Sequence, residues 1–226
     1  MGGSIPIFGL YYKEMYLYAN GYVSFNETQF IYRPKGIPFP GLRPPIIAPF
    51  LADINTEIGG EITHRYLIPF HRSLIDTEIQ EAGFENFASE WAICVTWNNV
   101  RFKGANPPGR TKQNRFQMII AYDQSTTGQA VVVFNYERLD WTTGTNAGGD
   151  PSTGLGGNKG MAAMAGWDNA DGKTFFSMPG SSTDDVVNLV HGSTHNKRGR
   201  WIYKISGDLG KQTVYCLFSC FLMLFR

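Results

Sequence analysis

The sequence predicts a mainly β fold: an antiparallel β-sandwich with one short helical insertion near residues 73–87. Three observations carry this expectation. Apolar residues recur with period two through most of the chain. Turn residues separate these runs, with 26 glycines and 12 prolines among 226 residues. Helical spacing stands out in one stretch, at Leu74, Ile75, Ile79 and Ala82. A chain of 226 residues buries about 70–75% of its unfolded surface on folding, so its core needs no disulfide or metal.

The elements follow in order. Tyr16-Leu17-Tyr18-Ala19 and Tyr22-Val23-Ser24-Phe25 flank Asn20-Gly21, the commonest two-residue hairpin turn, whose two residues both need positive φ. Pro34 to Pro49 holds six prolines, which cannot donate to a ladder; this predicts a connection and excludes a central strand. The spacing predicts a helix over 73–82, with Ser73 and Asp76 resembling an N-capping box, Gly83 as its stop, and a second turn at Phe84 to Phe87. In Trp91 to Asn98, Trp91, Ile93, Val95 and Trp97 share one face and Ala92, Cys94 and Thr96 the other, so this strand is expected to be covered on both sides. Arg115 to Tyr122 and Ala130 to Tyr136, joined by the polar Asp123 to Gly128, read as a second hairpin. Thr142 to Gly160, rich in Gly, Asn and Ser, reads as a long surface loop. Met161 to Trp167, Thr174 to Met178 and Arg200 to Ile205 complete the strands. With no internal repeat or inter-domain linker, one β domain is expected through residue 206, followed by a tail over 207–226.

The tail carries the apolar run Val214 to Phe225, twelve residues where spanning a bilayer takes about 20. A buried terminal element, a clipped membrane segment and residues foreign to the domain compete as readings. Turn signals at Gly207 and Gly210 favour the last. The opening MGGSIPIFGLYY lacks the basic and apolar regions of a signal peptide.

Twenty Lys and Arg against 19 Asp and Glu give a net charge of +1, which excludes a dominant electrostatic attraction to nucleic acid or anionic lipid. An aromatic content of 14% excludes disorder. Cys94, Cys216 and Cys220 lack metal-ligand spacing, and Cys94, inside an apolar run, reads as a buried free thiol. His191-Gly192-Ser193-Thr194-His195 has the H-x-x-x-H frame of a zinc protease, but Gly192 stands where the general base is needed. A loop is expected instead, and His64 and His71 have no partner spacing. Gly172-Lys173-Thr174 lacks the upstream glycine of a phosphate loop and is flanked by Asp168 and Asp171, so no nucleotide is expected.

Asp168, Asn169 and Asp171 lack the alternating ligands of a calcium loop. Asp53 and Asn55, with Glu57 in step, could face a cation, although a turn-stabilising Asp is the commoner arrangement. No G-x-S-x-G elbow occurs, and no carboxylates pair for glycoside chemistry. Lys197-Arg198-Gly199-Arg200 could touch an acidic glycan but reads first as a solvated turn. Asn26-Glu27-Thr28 is an N-glycosylation sequon just past a hairpin, which makes Asn26 the expected modification site. No catalytic residue, cofactor or metal ligand is expected; the residues point to a binding or structural module.

The landmarks occur in a familiar order. Tyr18-Ala19-Asn20-Gly21-Tyr22-Val23-Ser24-Phe25 is followed by Ile47-Ala48-Pro49-Phe50-Leu51-Ala52-Asp53-Ile54-Asn55-Thr56, Gly59-Gly60-Glu61-Ile62-Thr63-His64-Arg65 and the strand containing Val95-Thr96-Trp97. Then come Asn114-Arg115-Phe116-Gln117-Met118-Ile119, Val133-Phe134-Asn135-Tyr136, Trp141-Thr142-Thr143-Gly144, Ala165-Gly166-Trp167, Pro179-Gly180-Ser181 and Gly199-Arg200-Trp201-Ile202-Tyr203-Lys204-Ile205. Together they resemble the NIDO domain, the nidogen-like extracellular module of nidogen, alpha-tectorin and some membrane mucins, over residues 8–206. Trp97, Trp141, Trp167 and Trp201 then read as core anchors.

The resemblance implies a non-enzymatic extracellular module for cell–matrix adhesion within a larger secreted or membrane-attached protein. Its implied partners are matrix or cell-surface proteins. The alternative is a lectin-like domain that binds glycans, with or without calcium. The chain departs from the family in having little sequence before the first hairpin, and its tail after Ser206 matches nothing in the family. Loops 34–49 and 142–160, carried on a rigid scaffold, are the expected interaction surface.

Overall fold

The computed structural model describes residues 4–26, 30–41, 44–156 and 161–207. In chain order the elements are β1 (Ile5–Ile7), β2 (Leu10–Tyr12), β3 (Tyr16–Tyr18), β4 (Tyr22–Ser24), β5 (Ile46–Leu51), β6 (Ile54–Asn55), β7 (Glu61–Tyr66), the helix α1 (Pro69–Glu81), β8 (Trp91–Phe102), β9 (Asn114–Asp123), β10 (Gln129–Leu139), β11 (Met164–Asp168), β12 (Phe175–Ser177) and β13 (Arg200–Lys204). Among the described residues every strand pair is antiparallel. One sheet has the order β12-β11-β5-β4-β3. A second runs β13-β10-β9-β8, with β6 and β7 both paired to β8. β1 and β2 form a separate hairpin. The mainly β fold with a helical insertion is what period-two patterning demands.

One core draws on both large sheets. Phe50 of β5 lies 5.4 Å from Phe116 of β9, and Trp167 of β11 meets Tyr203 of β13 edge-on at 5.2 Å. Trp97, Trp141, Trp167 and Trp201 are all buried in it, as expected of anchors. The other face of the β8–β9–β10–β13 sheet is covered by α1. Leu67, Ile75, Ile79 and Phe87 pack on Ala92, Cys94, Ile119, Ala121, Val131, Val133 and Ile202. β8 is therefore buried on both sides, and Cys94 is an unpaired thiol whose pKa burial pushes up.

Beside this apolar layer runs a polar row fixed by strand register. Thr96, Gln117, Asn135 and Arg200 are successive cross-strand partners. Gln117 donates to Thr96 at 2.9 Å, Asn135 to Gln117 at 3.0 Å, and Arg200 to Asn135 at 2.7 Å. Arg200 then pairs with Glu78 of α1, which ties the helix to the sheet edge.

Four expectations need correction. The β3–β4 register pairs Tyr18 with Tyr22, so the loop is Ala19-Asn20-Gly21, three residues long. Gly21 alone has positive φ (80°), because Asn20 points its side chain inward instead of forming a primed turn. Within the proline-rich stretch, 46–51 is the central strand of its sheet. Pro49 is tolerated there because the β5–β11 register shifts around it, between the pairs Met164–Leu51 and Gly166–Ala48, so no ladder donor is missed.

The helix starts at Pro69, whose fixed φ suits a first turn, and not at Ser73. Ser73 donates to Phe70 O at 2.8 Å, and Asp76 accepts from Ser89 N at 3.0 Å, so neither caps. Finally, residues 142–154 are folded against the body, with Thr142, Thr143, Ala147 and Gly154 buried. Residues 157–160 and the tail from 208 lie outside the described residues. Among the described residues no helix is long and apolar enough to cross a membrane.

Candidate interaction surface

The loop over 30–41 lies on the outer side of the five-stranded sheet. Ile31, Ile37 and Phe39 pack over Tyr22, Ile46, Ala48, Leu51 and Met164. Ile31 N donates to Tyr22 Oη at 3.0 Å, Phe39 N to Asp168 Oδ2 at 2.6 Å, and Asn20 Nδ2 to Ile31 O at 2.9 Å. Burial pushes the Tyr22 hydroxyl up to about 12, so it stays protonated throughout the physiological range. With its apolar residues turned inward, the loop presents Phe30 and Tyr32 outward, 63% and 41% exposed, with ring centroids 6.4 Å apart.

The loop over 142–156 is equally fixed. Thr142 N and Thr143 N both donate to Gly154 O, at 2.8 and 2.9 Å. Asp150 Oδ1 accepts from Ser152 N and Thr153 N, and Asn106 N donates to Pro151 O. Gly154 has φ +67°, and a Cβ there would lie 2.6 Å from Trp141 Cβ, so the turn requires glycine. Asp184 accepts from Gly156 N and Thr142 Oγ1, which clips the loop's far side.

The two loops meet at Asn146. Arg33 Nε donates to its carbonyl at 2.8 Å, and its side-chain Nδ2 donates to Asp53 Oδ2 at 2.6 Å. Asp53 is buried, which raises its pKa; the Asn146 hydrogen bond and Lys103 oppose that rise. Asp53 therefore anchors Asn146, while Asn55 accepts from Glu57 N and Glu57 pairs with exposed Lys103 at 3.6 Å.

The remaining sequence candidates are scattered. His191 Nδ1 accepts from Arg198, whereas His195 is half-buried beside Thr194 and has a pKa lowered by burial. His64 sits exposed on β7, and the His71 ring lies against Phe70. Among the described residues no three His, Cys, Asp or Glu side chains are placed to hold a metal. Asn26 is exposed, and Glu27 and Thr28 lie outside the described residues.

Asp171 Oδ1 accepts from Lys173 N at 2.7 Å and Thr174 N at 2.6 Å, so the Gly172-Lys173-Thr174 stretch is a side-chain-closed turn. These hydrogen bonds, that of Thr174 first, lower the Asp171 pKa to about 2. A depressed folded-state pKa stabilises the turn above the ordinary carboxylate range, and this contribution fades as pH falls toward 2. The NMR titration of Asp171 is expected to have its midpoint near 2 and not to move with added calcium. A midpoint near 4, or one displaced by calcium, would mean the carboxylate is free for a ligand.

The contact of Arg33 with Asn146, 113 residues apart in sequence, has no local signal. Loop composition marked 34–49 and 142–160, so Asn146 fell inside the expected surface, whereas Phe30, Tyr32 and Arg33 precede its first loop and were missed.

The profile described as "Nidogen-like domain" matches residues 13–207. Alpha-tectorin of Mus musculus is 37% identical over 209 residues, covering 90% of this chain and 9% of the relative. Alpha-tectorin of Gallus gallus is 36% identical over 199 residues, covering 87% of this chain and again 9% of the relative. Nidogen of Drosophila melanogaster is 27% identical over 218 residues, covering 93% of this chain and 15% of the relative. The chain thus spans a small part of the relatives it resembles. No solved structure matches it significantly. With the profile covering nearly all of the described β body, the chain belongs to the nidogen-like (NIDO) domain family.

Proposed function

We propose that this chain is a non-enzymatic extracellular interaction module for cell–matrix adhesion, working within a larger secreted or membrane-attached protein. Residues 1–206 form the module in this reading, and 207–226 stand outside it. The observation that carries it is the convergence of the 30–41 and 142–156 loops at Asn146, which fixes an exposed aromatic pair on a rigid scaffold. Family membership supports the extracellular matrix setting, since nidogen and alpha-tectorin are matrix proteins. Exposed Asn26 is proposed to carry an N-linked glycan in that setting.

The test is retention of the full chain, made in secreting cells, on immobilised matrix proteins. The variant F30A/Y32A/R33A, with an unchanged circular dichroism spectrum, is expected to bind about tenfold more weakly, the effect of losing one hot spot. Equal binding by the variant, or no retention of either protein, would count against the reading. In the same preparations a glycosidase should remove mass from the wild type and none from N26Q; identical masses would refute the modification.

The aromatic pair also supports the lectin-like reading, because sugars stack on exposed rings. A glycan array with and without chelator separates the two. Selective, chelator-sensitive binding would favour the lectin.

A further inference from the structure

A second surface lies at the edge of the β8–β9–β10–β13 sheet. An open depression of about 430 Å³ is lined by Glu137 of β10, by His191, by Lys197 and Arg198 just before β13, and by Arg200 at its start. Their charges are unevenly matched. Glu78 takes both Lys197, at 2.6 Å, and Arg200. Glu137 takes Arg115 of β9, at 2.9 Å. Arg198 is exposed and, among the described residues, donates only to neutral acceptors, His191 Nδ1 and Val190 O. Among the described residues four permanent cations thus share two paired carboxylates, with Glu81 of α1 acting on His195 beside Lys197, on a chain whose overall charge is +1.

The cations are held in place. Gly199, at φ +74°, would put a Cβ 2.3 Å from Tyr136 O. Its carbonyl accepts from Tyr136 N and its amide donates to Gly192 O, both at 2.8 Å, so the Lys197–Arg198 turn is clamped to β10. From β13 to β9 the basic residues span two strand spacings, about 10 Å. That breadth suits several anionic groups along a chain better than a single ion. The outer edge of β13 is occupied as well. Thr194 N donates to Arg200 O at 3.2 Å, and Ile202 N to Thr194 Oγ1 at 2.8 Å. A peptide could not dock there by adding a strand.

We infer that the Arg115–Lys197–Arg198–Arg200 face binds a sulfated polysaccharide, with Arg198 as the principal contact. The guanidinium supplies a planar pair of donors to a sulfate or carboxylate, and among the described residues no carboxylate takes its charge. The inference rests on the extracellular reading above but uses a different face.

The test measures binding of the full chain to heparin as a function of salt. R198A is expected to bind about tenfold more weakly, the scale of one charge-assisted hydrogen bond. K13A, which removes one exposed charge far from this face in sequence, should change binding by less than about twofold. Failure of the wild type to bind heparin at physiological salt, or equal losses in R198A and K13A, would overturn the site. Equal binding to polyglutamate, with the same R198A loss, would overturn the polysaccharide as ligand. R198A is expected to keep its retention on matrix proteins, whereas F30A/Y32A/R33A should keep its heparin binding, so the two proposals fail separately.

Discussion

Replacing Trp97 with alanine is expected to cost about 3–5 kcal/mol of folding stability, the range for truncating a buried aromatic. Trp97 is fully buried and stacks on Phe116 with centroids 5.0 Å apart. Its indole Nε1 also donates to Ala19 O at 3.0 Å, so a residue of β8 holds the tip of the β3–β4 hairpin from the other sheet. Truncation opens a void in the shared core and releases that tip. Since a domain holds about 5–15 kcal/mol in all, the loss is a large fraction of the total. Trp97→Phe keeps most of the packing but removes the donor, and is expected to cost nearer 1 kcal/mol. Phe175→Ala, on an edge strand and 42% exposed, should stay within about 0.5 kcal/mol of wild type. Urea unfolding followed by circular dichroism ranks the three. A Trp97→Ala midpoint equal to that of Phe175→Ala would show that the two sheets do not depend on this contact.

What the sequence disclosed follows from the range of the forces involved. Alternation placed β8, β9 and β10 because each strand's pattern is local, and Ala92 and Cys94 opposite Ile93 and Val95 announced a strand covered on both faces. The first helical turn was missed because the apolar set was read from Leu74 onward; Leu74, like Phe70 before it, is exposed, and the helix buries Ile75 and Ile79 instead. Pro49 misled because its exclusion from central strands fails where the register shifts. The proposed interaction surface was legible only in part, as loops 34–49 and 142–160, with Phe30, Tyr32 and Arg33 falling just before the first. The loops' meeting depends on Asn146 and Asp53, polar residues whose role is set by what folding brings beside them. The basic face was hidden for the same reason. Lys197, Arg198 and Arg200 are adjacent in sequence, but Glu78 and Arg115, which decide how much charge remains free, come from a helix and a strand far upstream.

Asn20 and Gly21 should be a highly sensitive pair of positions. Asn20 is 1% exposed, yet its side chain donates to Ile31 O at 2.9 Å and accepts from Ile54 N at 3.1 Å. Its own carbonyl accepts from Ala52 N at 3.1 Å. Asn20→Ala leaves Ile31 O without its donor, at about 1–3 kcal/mol, while Ile54 N keeps its bond to Ala52 O at 3.0 Å. It also frees the 30–41 loop from its inner tether, so proteolysis within that loop should quicken and matrix retention should weaken along with stability. Asn20→Asp gives a signed test. Burial holds an aspartic acid there above its ordinary pKa, so the protonated variant is nearly as stable as wild type in acid. Its deficit then grows as pH rises past the unfolded carboxylate value of about 4. Gly21→Ala meets a harder limit, because its Cβ would sit 1.9 Å from Phe50 O on the central strand, with φ at +80°. Gly36 provides the control: its φ is +88°, but nothing lies within 4 Å of its Cβ site. Gly36→Ala should therefore cost only the backbone term of about 1–2 kcal/mol. Gly21→Ala should exceed it by several-fold or fail to fold, because β5 cannot retreat without breaking the pairings that hold the whole sheet. Equal costs at the two glycines would mean the hairpin tip does not brace the central strand, and the coupling between this turn and the 30–41 loop would fall with it.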